Sequence, residues 1–478
     1  MNTEEPVDLV VALPHEKLVL GVMQEAGAGR MIEMADRSGD LGLARISLRE
    51  PGAVADHVGA WYRQIRREFP SSDLPEPAAG SKPALDRVLA DLRAGFAAQN
   101  GGWTPTMGKN RAVGRVPGMR NPQTGVGGAG EVSHGGVGGA GEVSHGGVSG
   151  FHAGAGGFAS DGGVSGAGEV SHGGGGAPRK IDEPGWAKAR ASAPGRGARV
   201  GVVDTALRRH DFLAGAWIGE QENGLSYPAG LPAEAGHATF VAGLVLRQAP
   251  GATLAVSALL DDRGIGDSWD AAVRIVQLGR EGLDVLNLSF VSYTDDGMPP
   301  LVLSTAIDRL DPDIVVVAAA GNHGFLTGGG RRKAAWPAAL NDVVAVGACT
   351  ARGDGEPASF TPAGSWIDVL APGEDVESTY LDGTVKVWHD PDGDGPQPVG
   401  RHDRTFTGYA RWSGTSFAAA TISGAIAART VPGRASAWQA YEWMVRQAEE
   451  AAGETRRAAE PLLIEPDALG WPSWTRRR

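Results

Sequence analysis

Four residues have side chains whose combination suits acyl transfer: Asp204, His237, Asn322 and Ser416. A serine hydroxyl is a weak nucleophile and needs a base to take its proton. Histidine suits that task because its ordinary pKa is about 6.5. A carboxylate fixes the imidazole tautomer and stabilises the imidazolium formed during attack. Charge then develops on the carbonyl oxygen. The amide of Asn322 can donate a hydrogen bond to it, as can backbone N–H groups at a helix N-terminus. Gly414 allows a tight turn before Ser416, and Ala418, Ala419 and Ala420 let a following helix pack closely.

These residues need a scaffold, and the chain from about Gly185 to Arg478 supplies one. ARVGVVD, ATLAVSAL, DVLNLSF, DIVVVAAA, DVVAVGA and WIDVLA read as strands. Several are continuously apolar, as strands covered on both faces are, which predicts a parallel sheet between helical layers. Sites on such sheets collect at the C-terminal strand ends. Asp204 ends the first strand, and Gly321-Asn322 follow DIVVVAAA. His237 and Ser416 each open an apolar stretch that reads as a helix. The four could therefore converge above one edge of the sheet.

The motifs around them resemble those of the subtilisin-like serine protease family. VVDTA resembles the aspartate motif at Asp204, GHATFVAG the histidine motif at His237, AAAGN the oxyanion motif at Asn322 and SGTSFAAATISG the serine motif at Ser416. The triad roles given above are that family's own. The Asp–His and His–Ser separations are 33 and 179 residues, in family order. The resemblance implies a three-layer parallel-sheet domain over residues 185–478 and a serine endopeptidase acting on protein or peptide substrates. NLSF resembles the strand lining the substrate groove, so Ser289, Phe290, Val291 and Gly321 become groove candidates. His323, next to Asn322, could face the pocket for the residue before the scissile bond, or be a solvent-exposed loop histidine. The sequence departs from the family at Ala206, Ala238, Phe240, Phe417, Ala420 and Thr421. No triad atom or oxyanion amide is lost. The departures bear on groove shape and helix packing. A catalytically silent interaction protein on the same fold is the alternative.

Residues 1–116 read as a small α/β or α+β domain. VDLVVAL is a buried strand, and GAVADHVGAWYRQIRREF and ALDRVLADLRAGFAAQ carry apolar residues at helical spacing. His15 and Glu16 read as a surface turn. Residues 117–184 form a Gly-rich segment, with 23 glycines in the 52 residues from 125 to 176. GAGEVSHGG recurs at 128–136, 139–147 and 166–174. Such a composition cannot bury enough apolar surface to offset chain entropy, and it reads as a flexible linker. Its repeated His134, His145 and His172 read as repeat expansion, not as metal ligands. Family propeptides follow a signal peptide and abut the protease domain. Here an acidic start without a cleavage motif and an intervening linker favour a retained regulatory or partner-binding domain.

The chain of 478 residues carries a net charge of −12, which argues against a general nucleic-acid binder. One cysteine, Cys349, excludes an intrachain disulfide and a multi-cysteine zinc site, and reads as a packing residue. No apolar window predicts a membrane span, and the absence of a leader motif predicts a cytoplasmic protein. The chemistry requires no cofactor, and no metal ligands are assigned. Asp390, Asp392 and Asp394 open like a calcium loop, but Arg401 stands where the closing Glu is needed, so a solvated turn is expected. A structural calcium is common in the family; its ligands here are not identified. WPSWTRRR reads as a surface tail.

Overall fold

The computed structural model describes residues 7–70, 74–78, 80, 82–115, 177–188, 196–219, 224, 227–294, 297–326, 330–388, 401–453 and 460–475. The histidine repeats and the aspartates at 390, 392 and 394 lie outside them.

The N-terminal unit is a small α/β domain. It comprises β1 (Asp8–Ala12), α1 (Glu16–Glu25), β2 (Ile32–Ser38), β3 (Leu43–Leu48), α2 (Pro51–Glu68), α3 (Ala84–Gln99) and β4 (Met107–Lys109). The strands form an antiparallel sheet in the order β2-β3-β1-β4. Successive strand residues point to opposite faces. Leu9 and Val11 therefore join Val54, Trp61, Leu92 and Phe96 of the two long helices. Val10, on the other face, joins a cluster of the larger domain. The run VDLVVAL is apolar throughout because both its faces are covered. Glu16 is buried and accepts a bidentate hydrogen bond from Arg37, so this position is a structural ion pair and not the surface turn expected.

After β5 (Ala112–Arg115), the described chain resumes before β6 (Arg179–Lys180). The larger domain continues with β7 (Arg199–Thr205), β8 (Trp217–Gly219), β9 (Leu231–Pro232), α4 (His237–Gln248), β10 (Thr253–Leu260), β11 (Ile265–Asp267), α5 (Ser268–Gly279), β12 (Val285–Leu288), β13 (Phe290–Val291), α6 (Leu301–Asp308), β14 (Val315–Ala319), β15 (Val344–Cys349), β16 (Val369–Pro372), β17 (Val376–Trp388), β18 (Arg401–Trp412), α7 (Thr415–Arg429), α8 (Ala437–Ala452) and β19 (Leu462–Leu463). An eight-stranded parallel sheet runs β19-β16-β15-β14-β12-β7-β10-β8. Val200 and Val202 of β7 share one apolar cluster with residues of α4, α7 and α8, and Val203 shares another with residues of α5 and α6. These are the two helical layers that continuous apolar strands require.

Each of the six predicted strands is present within three residues of its expected ends, although DVLNLSF divides into β12 and β13. Within the residues read as linker, β6 pairs with β18 at Arg179 and Lys180. Strands β17 and β18 form a long antiparallel hairpin over α4, where Ser378 and Thr379 donate to the Phe240 and Thr239 carbonyls. The C-terminal stretch is anchored, not a free surface tail. Arg429, buried, stacks on Trp443 and Trp471, and Trp474 donates to the Arg429 carbonyl. Burial lowers the Arg429 guanidinium to about 10. Cys349 is a buried residue of β15 whose thiol burial pushes up to about 11, so it has little thiolate character. Among the described residues no helix is long and apolar enough to cross a membrane.

Candidate active site

Parallel strand ends place two of the four residues, Asp204 on β7 and Asn322 after β14, at one rim. Asp204, the next-to-last residue of β7, accepts from the Thr205 N–H at 2.6 Å and meets Nδ1 of His237 at 2.8 Å with both carboxylate oxygens. His237 is the first residue of α4, and Thr205 Oγ1 accepts from the next N–H of that helix, Ala238. The carboxylate and imidazole are both fully buried. That pairing makes Nδ1 the donor and leaves Nε2 on the opposite ring edge.

Ser416 lies in the first turn of α7. Its hydroxyl donates to the Ser289 carbonyl at 3.4 Å, and the direct bond to His237 expected from the sequence is not formed in this state. The imidazole is nonetheless adjacent, with its centroid 5.4 Å from the ring of Phe417, the next residue. A chain of buried hydrogen bonds ties the start of α7 to β12: Ser423 donates to Asn287, Asn287 to Ser289 Oγ, and Ser289 Oγ to the Ser416 carbonyl.

Asn322 follows β14. Its Oδ1 accepts from both the N–H and the hydroxyl of Thr415. An oxygen held by a backbone N–H fixes which way the amide points, so the NH2 group is the end that faces Gly414, just ahead of Ser416. Thr415 Oγ1 also accepts from the Gly321 N–H, which ties the turn after β14 to the helix. Gly321 has φ +97°, where a side chain would be strained and would meet the His323 ring. His323 is not the solvent-exposed loop residue of the alternative reading. It is buried, accepting from the Tyr293 hydroxyl at Nδ1 and donating from Nε2 to the Lys333 carbonyl. Burial lowers its pKa to about 4, so the ring is neutral near pH 7.

Of the groove candidates Ser289, Phe290 and Val291, the last two form β13, whose edge is already paired. β5 pairs antiparallel with β13, Gly114 opposite Val291 and Arg115 opposite Phe290. Its other edge pairs antiparallel with β11, from Ile265↔Gly114 to Asp267↔Ala112. A segment of the N-terminal domain is thus the middle strand of a three-stranded sheet. Asn110 reinforces it by accepting from the Ser268 hydroxyl and the Trp269 N–H at the start of α5. Trp269 in turn donates to Asp36 of β2. Sequence reasoning missed this contact, as it missed Thr205, Thr415 and Tyr293. The two threonines sit inside the motifs quoted above; Tyr293 has no local signal.

The model of the subtilase family matches residues 195–459. The chain belongs to the subtilase family. Subtilisin Savinase of Lederbergia lenta is 29% identical over 262 residues, covering 51% of this chain and 82% of the relative. Subtilisin DY of Bacillus licheniformis is 33% identical over 202 residues, covering 40% and 69%. An alkaline protease of Shouchella clausii is 29% identical over 262 residues; the match spans 51% of this chain and 58% of that longer relative. Fervidolysin of Fervidobacterium pennivorans shares the fold, with a TM-score of 0.53 at 16% identity over 98% of this chain and 62% of that one. By family the chain is a subtilisin-like serine endopeptidase.

Two of this subtilase's departures are spatial partners. Phe240 and Phe417 lie 4.4 Å apart, ring centroid to ring centroid, and both pack on Trp412. His237 sits edge-on to Trp412 and tilted against Phe417. The imidazole is therefore held by aromatic faces as well as by Asp204. Ala420 leaves α7 unbroken, and Thr421 donates to the Phe417 carbonyl. Phe417→Ala is expected to lower the unfolding free energy by about 3–5 kcal/mol, because a fully buried ring leaves a cavity. Urea unfolding measures it. A loss below about 1 kcal/mol would mean that the cluster does not hold the site. Among the described residues no group of three or more His, Cys, Asp or Glu side chains could hold a metal ion.

Proposed function

We propose that this subtilase hydrolyses peptide bonds with Ser416 as nucleophile, His237 as general base and then acid, Asp204 as the residue orienting it, and the Asn322 amide as oxyanion donor. The observation that carries the reading is the buried Asp204–His237 pair beside the start of α7, with Asn322 fixed by Thr415 on its other side. A rotation about χ1 of Ser416 moves its hydroxyl from the Ser289 carbonyl toward Nε2; such bonds are often unformed until substrate binds. Attack forms the Ser416 ester while His237 takes the proton and passes it to the leaving amine.

The N-terminal domain acts as a retained regulator that fills the groove with β5. Its support is the two-sided pairing of Ala112–Arg115, which satisfies the backbone groups a substrate strand would use. A fluorophosphonate tests the chemistry directly. It is expected to label the protein at Ser416, to fail on Ser416→Ala and to slow strongly on His237→Ala. Labelling that survives Ser416→Ala sinks the assignment, and a protein that never labels supports a silent scaffold.

A further inference from the structure

We infer that Tyr293 and His323 form a fixed, uncharged stop that limits the residue whose carbonyl is attacked to small neutral side chains: Gly, Ala or Ser. The inference rests on the proposed hydrolase chemistry and adds its specificity. The first step is register. β5 runs from Gly114 opposite Val291 to Arg115 opposite Phe290, so a substrate strand laid on β13 in this sense presents its next residue opposite Ser289. The Ser289 carbonyl is where the Ser416 hydroxyl rests, so that residue is the one brought to the nucleophile.

The second step is direction. Residues directly opposite in an antiparallel pair point to the same face, and so do residues two apart in a strand. The side chain of the presented residue therefore shares the face of Ser289, Val291 and, at the next even step, Tyr293. On that face the presented side chain would meet the Tyr293–His323 pair, which packs on the turn at Gly321 that follows β14. The two rings are fully buried, edge to face at 5.0 Å, and joined by a 2.9 Å hydrogen bond. They press on the Gly321 backbone closely enough that a Cβ there would lie 2.8 Å from His323 and 3.0 Å from the Tyr293 hydroxyl.

The third step is chemistry. The Tyr293 proton is spent on Nδ1 and the Nε2 proton on the Lys333 carbonyl, so the imidazole has no donor or acceptor left and is neutral. The neutral pair itself offers a charged side chain no counter-charge, and a large apolar one would find its space taken. Burying an unpaired charge is costly, and filling a packed site is costly too.

The experiment is a competition in the full chain between two peptides that differ only in the attacked residue, Ala or Phe. The ratio of their kcat/KM values does not depend on the fraction of molecules whose groove is open. The intact protein is expected to favour Ala by about 100-fold. His323→Ala and Tyr293→Ala are each expected to shrink that preference by about tenfold or more, while Tyr293→Phe, which keeps the ring, moves it less than about threefold. Fluorophosphonate labelling at Ser416 shows that each variant retains a formed site. An intact protein that cleaves the Phe peptide as readily as the Ala peptide overturns the inference without any variant. So does a ratio unchanged in both alanine variants while they still label. A protein that neither labels nor cleaves either peptide overturns the hydrolase reading, and this inference falls with it.

Discussion

Ser416→Ala is expected to lower kcat for peptide hydrolysis by about 10⁶-fold, a magnitude carried over from the triad of subtilisin itself. The physical ground lies in this site. The methyl group leaves the Asp204–His237 pair, the Thr415 clamp on Asn322 and the groove strands untouched, because none of those bonds uses the Ser416 hydroxyl. What disappears is the atom that forms the ester, together with the proton that His237 transfers. His237→Ala is expected to cost a similar factor. The double variant should be little worse than either single one, since a nucleophile without its base and a base without its nucleophile are equally idle. Residual turnover then reports the oxyanion donor and binding alone. The measurement is initial-rate hydrolysis of one peptide by the four proteins, with unfolding curves to show that they remain folded. Losses that multiply in the double variant would mean that the two residues act independently and that the mechanism is wrong.

The large sheet was legible because its strands are buried on both faces, and a run such as DIVVVAAA has few other readings. The candidate site could be read from the sequence because each of its side chains sits at a strand end or helix start, within a few residues of glycines and alanines that close packing demands. Three features were not. The pairing of Ala112–Arg115 with β13 joins segments about 175 residues apart through backbone groups, which every residue type carries. AVGR has neither the length nor the alternation of an ordinary strand. Phe240 and Phe417 each read as a departure from the family; only the structure shows that the two rings touch. His323 was ambiguous between pocket and solvent. The difference is made by Tyr293, thirty residues earlier, and by the Lys333 carbonyl, ten residues later. In each case the missing information is a partner distant in the chain.

The same remote pairing sets the second large effect. Val113 is fully buried in the apolar cluster that also holds Trp269 and Phe290, whereas its neighbours in β5 are held chiefly through the backbone. Val113→Asp places a carboxylate among these apolar side chains. Leaving such a charge unpaired costs several kcal/mol, and the chain avoids that cost by withdrawing β5. The rest of the N-terminal domain remains anchored by Arg280–Asp40, by Trp269–Asp36 and by the Leu41 and Leu43 contacts, so the strand departs before the domain does. A tethered strand competes with substrate at an effective concentration of about millimolar, so even partial withdrawal opens the groove to a peptide in solution. Peptide hydrolysis by freshly purified Val113→Asp, shown by mass spectrometry to be a single uncut chain, is expected to exceed that of the unchanged protein by about 100-fold. The gain should appear in kcat/KM and vanish in the double variant with Ser416→Ala, which separates an opened groove from a contaminating protease. Val113→Ile, which stays apolar, is expected to remain within about threefold of the unchanged protein. Equal rates for Val113→Asp and the unchanged chain, both uncut and both labelled at Ser416, would show that β5 does not restrain the enzyme and that the N-terminal domain has some other role.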